Sequence, residues 1–108
     1  MSMNVNDLIN KLKSQIQTYY INGKKIPVLN RRILKQLLDQ KTFKVLTTGT
    51  YMGMKTLRKL CEELNKQYIV VVKKSDTRTI YVFCTDNELN AVTETYGNKI
   101  TNVLPCLD

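Results

Sequence analysis

The sequence contains no histidine and no tryptophan, only two prolines and four glycines, and no apolar run long enough to span a bilayer. Without His the chain lacks the commonest general base and the commonest metal ligand, which removes most hydrolase and zinc chemistries. Cys61, Cys84 and Cys106 are then the only soft ligands. They are odd in number and too widely spaced for a CxxC metal pair or a secreted disulfide framework, so they read as reduced core thiols. The polar stretch Ser2–Asp7 has no apolar centre of the kind a signal peptide carries. The expectation is a soluble cytoplasmic protein with no membrane partner, no metal and no cofactor.

With 108 residues, 43% hydrophobic and 24% charged, the chain has the size and composition of one globular domain that folds alone. A domain this small buries roughly 60–70% of the surface its unfolded chain exposes, leaving little room for a deep catalytic cavity. It does carry positive charge, unevenly placed. Residues 1–67 hold 13 Lys and Arg against 4 acids, whereas residues 68–108 hold 4 against 5. A one-sided basic excess suits a phosphate-binding surface, because each neutralised phosphate releases counterions and adds sequence-independent affinity.

Val5, Leu8, Ile9, Leu12, Ile16 and Tyr19 recur at helical spacing behind the candidate caps Asn4 and Asn6, predicting an amphipathic helix over roughly 5–20. Ile21–Lys25 contains Asn22-Gly23 and reads as a turn, and Ile26-Pro27-Val28 as a short extended piece. Asn30 caps a second helix that buries Ile33, Leu34, Leu37 and Leu38 and ends near Gln40. Residues 41–46 fit either a strand or a short helix. Thr47–Thr50 is a turn with capping hydroxyls, followed by the stripe Met54, Leu57, Leu60, Cys61 and Leu64, a helix running to about Lys66. Two β-branched and aromatic runs, 68–72 and 79–83, flank a polar tip and predict a hairpin. Asp86 caps a closing helix over about 86–96, and 100–104 returns as strand or tail.

The order helix, helix, short element, turn, helix, hairpin over residues 30–84 resembles a winged helix-turn-helix domain. The resemblance implies an α+β, winged-helix-like fold with helices packed on a small antiparallel hairpin, plus an extra N-terminal and a C-terminal helix. It also implies non-enzymatic binding of duplex DNA, in transcription regulation or replication, by a homodimer built from the first or last helix. In that family the helix after the turn enters the major groove and the hairpin, the wing, lies along the backbone. Here Thr50 and Tyr51 would stand at the helix start, with Lys55, Arg58 and Lys59 on groove or phosphates. Lys73, Lys74 and Arg78 would hold backbone from the wing, and Arg31 and Arg32 would extend the basic face. The departure is at the turn: aligning Gly49 with the family's turn glycine puts Lys55 and Arg58 where apolar residues belong.

A charge pattern supports the same helix. Lys55, Arg58 and Lys59 crowd its first turns and Glu62 and Glu63 follow, against the helix dipole, which suggests a functional demand for cations there. Lys- and Asn-rich compactness suits a small protein of a virus or mobile element.

Three other readings compete. Gly49–Thr56 resembles the nucleotide-binding phosphate loop G-x-x-x-x-G-K-[ST] except that Met54 replaces the second glycine; Phe43–Leu46 would be the preceding strand and Asp86 a magnesium ligand. Tyr19 and Tyr20 beside Lys24 and Lys25, and Tyr51 beside Lys55, are basic–aromatic neighbours able to stack on an unpaired base. Finally, the basic face would equally serve an adaptor or inhibitor bound to an acidic protein partner.

Overall fold

The computed structural model describes residues 4–107, an α+β fold in which a five-stranded antiparallel sheet carries helices on both faces. The strand order is β1-β2-β4-β3-β5, with β1 Gln17–Ile21, β2 Lys24–Asn30, β3 Tyr68–Ser75, β4 Arg78–Cys84 and β5 Ile100–Pro105. Helices α1 Val5–Lys13, α2 Arg31–Leu37, α3 Gln40–Thr47 and α4 Tyr51–Glu63 accompany one face, and α5 Asp86–Tyr96 covers the other.

Side-chain alternation along the central strands divides the core in two. Ile69, Tyr81 and Phe83 meet Ile9, Leu12, Leu34, Leu46, Leu57 and Leu60 of the four helices. Val70, Val72, Ile80 and Val82 meet Ala91 and Val92 of α5. The 69–72 and 80–83 stretches show no alternation with polar residues, because both faces of β3 and β4 are covered. The expected small hairpin is therefore present, but as the centre of a larger sheet.

Several boundaries differ from the sequence expectation. The first helix stops at Lys13, not near residue 20, because Gln17–Ile21 pairs along its whole length with Lys24–Ile26, Pro27 and Val28. Ile16 packs with the four-helix core, whereas Tyr19, three residues on, joins the core beneath α5. Asn22 and Gly23, with φ of 50° and 78°, make the two-residue turn between these strands. Pro27 lies before the β4 ladder begins at Val28, so its missing N–H leaves no gap there.

The second helix also ends early. Leu38 is extended, and the Asp39 carboxylate accepts the Thr42 N–H at 2.7 Å to start α3, which settles 41–46 as helix. Asn4 caps α1 and Asn30 caps α2, each through its side-chain oxygen. The cap of α5 is Thr85, not Asp86, in a reciprocal capping box with Glu88.

Three further expectations are corrected. Phe43–Leu46 lies in a helix and every strand pairing is antiparallel, so Gly49–Thr56 lacks the strand–loop–helix setting of a phosphate loop. Asp86, the suggested magnesium ligand, starts α5 on the far side of the sheet. Cys61 and Cys106 are not free thiols but a disulfide with Cα atoms 5.9 Å apart, tying α4 to the chain beyond β5. Cys84 is free and buried, as expected of a core thiol.

Candidate nucleic-acid interface

The interface is built on α4. Thr50 caps it: its hydroxyl accepts the Gly53 N–H at 3.0 Å and donates to the Val45 carbonyl of α3 at 2.5 Å. Gly49, at φ 73°, turns the chain between the two helices. Leu57, Leu60 and Cys61 face the core, and this orientation turns Tyr51, Lys55 and Lys59 outward, with Arg58 half-buried between them. The Thr50 hydroxyl is thus committed to the turn.

Tyr51, Met54, Lys55, Arg58, Lys59 and Glu62 line one side of an open cleft of about 670 Å³, and Cys106 and Leu107 line the other. Tyr51 is 72% exposed and Leu107 68%, which puts apolar surface and cations into one concavity. Lys59 also reaches α1, donating to the Asn6 side-chain oxygen at 3.2 Å. At the far end of α4, Glu63 pairs with Lys13 of α1 at 2.6 Å, offsetting the acid's unfavourable place at a helix C-terminus. Because α4 begins at Tyr51, Lys55 sits in its second turn, where the dipole field has largely fallen off. The convergence of the side chains on the cleft therefore matters more than their place along the helix dipole.

The other expected site residues do not join this group. By strand alternation Lys73 stays on the helix-bearing face, whereas Lys74 crosses to the α5 side and lies over the Tyr19 ring, 5.6 Å from its centroid. Arg78, two residues before Ile80, shares that opposite side. Arg31 is half-buried over the Phe43 ring at 4.9 Å, a contact between α2 and α3, and Arg32 is exposed at the start of α2. Beside Arg31, burial raises the Tyr81 hydroxyl pKa, and the guanidinium opposes that rise.

The cleft's second wall was not legible in the sequence. Neither the spacing of Cys61 and Cys106 nor the short 100–104 run indicates that Cys106 and Leu107 lie against α4. A smaller hollow of about 220 Å³ lies between the α3–α4 turn and β3 and β5, lined by Met54, Leu57, Val71 and Tyr81 among others but by no charged side chain. Among the described residues, no cluster of three or more His, Cys, Asp or Glu could hold a metal ion, and no helix is long and apolar enough to cross a membrane. No protein family, curated protein or solved structure matches the chain.

Proposed function

We propose that this is a non-enzymatic nucleic-acid-binding protein whose contact surface is the outward flank of α4. The observation that carries this reading is the convergence of Lys55, Arg58 and Lys59 with the exposed Tyr51 ring on one open cleft. Cations neutralise phosphates, and an exposed aromatic beside them offers a stacking surface, a pairing that nucleic-acid sites use repeatedly. The net charge of +8 adds long-range attraction for a polyanion. The succession of α3, turn, α4 and the β3–β4 hairpin, in the order of a winged helix-turn-helix domain, supports the same choice of contact helix.

The test is a fluorescence-anisotropy titration of random duplex DNA, single-stranded DNA and duplex RNA over a range of salt concentrations, for the native chain and a Lys55→Glu/Lys59→Glu variant. Binding should weaken steeply with salt, and the variant should lower the log–log slope by about 0.7–0.9 for each phosphate that the protein no longer neutralises. Absence of binding to all three at low salt, or a variant that binds as the native chain does, would overturn the reading.

A further inference from the structure

We infer that the cleft between α4 and the C-terminal segment accepts unpaired nucleotides, with a base on Tyr51 and the apolar wall and the sugar-phosphate backbone along Lys55 and Lys59. This rests on the nucleic-acid reading of the same flank and narrows it to single strands.

Three observations point this way. The first is apolar exposure. Tyr51 and Leu107, two of the most exposed large hydrophobic residues among those described, both line the cleft. Contact with phosphates alone gives no use to such surface, whereas every unpaired base has a π-face to lay against it.

The second is the wall. The Cys61–Cys106 bond and the Cys106 N–H donated to the Gln67 carbonyl at 2.9 Å hold the segment against α4. A recognition helix must project to enter a major groove. Here the flank carrying Lys55 and Lys59 forms one side of a trough instead. The cleft's volume, about 670 Å³, falls in the ~300–1,000 Å³ range of small-ligand sites.

The third is the hairpin. A helix and a wing grip one duplex only if their cations share a side. Of the three hairpin cations only Lys73 keeps to the side of α4; Lys74 and Arg78 project on the α5 side of the sheet, so the hairpin's charge is split between the two faces. A single strand needs no second grip, because a basic trough with one aromatic platform is sufficient. Glu62, the lining residue nearest the C-terminal end of α4, disfavours phosphate beside it, which favours the Lys55–Lys59 stretch for the backbone.

The experiment measures anisotropy of a labelled short oligo-dT and of a duplex of equal length with the native chain, Tyr51→Ala and Tyr51→Phe, with polyglutamate as competitor. Because Tyr51 is largely exposed, circular dichroism of both variants should match the native chain. Oligo-dT should bind about tenfold tighter than duplex; Tyr51→Ala should lose about tenfold on oligo-dT and nothing on duplex, and Tyr51→Phe should restore binding. Duplex binding as tight as oligo-dT, or oligo-dT binding indifferent to Tyr51→Ala, overturns this inference while leaving nucleic-acid binding standing. Polyglutamate bound as tightly as oligo-dT overturns it in favour of an acidic protein partner. Failure of every nucleic acid to bind removes the parent reading as well.

Discussion

Gly53 shows how one missing side chain sets the geometry of the candidate site. A Cβ built there would collide with the Val45 carbonyl oxygen and lie 3.0 Å from both the Leu46 Cα and the Thr50 hydroxyl, so α3 and α4 cross where only glycine fits. Backbone cannot move aside as a flexible side chain can. Gly53→Ala should therefore destabilise the fold by about 1–3 kcal/mol despite alanine's better helix propensity. Guanidinium unfolding, read as a lower midpoint at unchanged slope, checks this; a midpoint at or above the native one would show that α3 and α4 can separate. The Thr56 hydroxyl is buried in the same helix and satisfied by the Met52 carbonyl at 2.9 Å, so it needs no ligand.

Among the elements, α5 depends on a small polar cluster at its start. Glu88 closes the capping box with Thr85 and pairs with Lys66 at 2.8 Å, both side chains 16% exposed. Burial pushes the Glu88 carboxyl up, but the Lys66 hydrogen bond and the Thr85 N–H outweigh it and leave the pKa below the ordinary 4.5. A depressed carboxyl pKa contributes stability that is complete above the ordinary value and lost as pH falls through the folded one. The stability difference between the native chain and Glu88→Gln should thus be largest at neutral pH and shrink below about 4.5. Thermal melts of both proteins across that range measure it, and a difference independent of pH would refute the assignment. Asp39 at the start of α3 works in the same direction, its carboxyl lowered chiefly by the Thr42 N–H. Elements with such local signals were legible in sequence. α4 has a clear apolar stripe behind capping hydroxyls, and the β3–β4 hairpin has β-branched and aromatic runs; α5 was legible as a helix, but its cap is Thr85 and not the Asp86 that the sequence suggested. The β1–β2 hairpin was less legible: its Asn22-Gly23 turn is a plain signal, but the apolar spacing from Val5 to Tyr19 mimics one continuous helix.

At the scale of the whole molecule, the Cys61–Cys106 bond closes a loop spanning 45 positions, from α4 through three strands and α5. Cross-linking a loop of this length restricts the unfolded chain, so reduction or Cys106→Ser should lower unfolding free energy by about 2–4 kcal/mol. Denaturant unfolding with and without a dithiol reductant measures it; equal midpoints, or three titratable thiols in the unreduced unfolded chain, would show that the bond does not form. Cys84 should stay unmodified in the native protein, because its thiol is buried and pushed up to about 11.

Local sequence signals specify the helix that carries the candidate site, the turn of capping hydroxyls over Thr47–Thr50 before it, the cations along it and the hairpin that follows. These depend on periodicity, capping hydroxyls and β-branched runs within a dozen residues. Tertiary contacts instead make residues 17–21 leave the helical pattern for an outer strand, point Lys74 and Arg78 away from Lys55 and Lys59, and bring Cys106 and Leu107 to the α4 cleft. The physical reason is the range of the interactions. A strand's partner, the face its side chains take and the mate of a cysteine are set by residues tens of positions away, and no local window contains them.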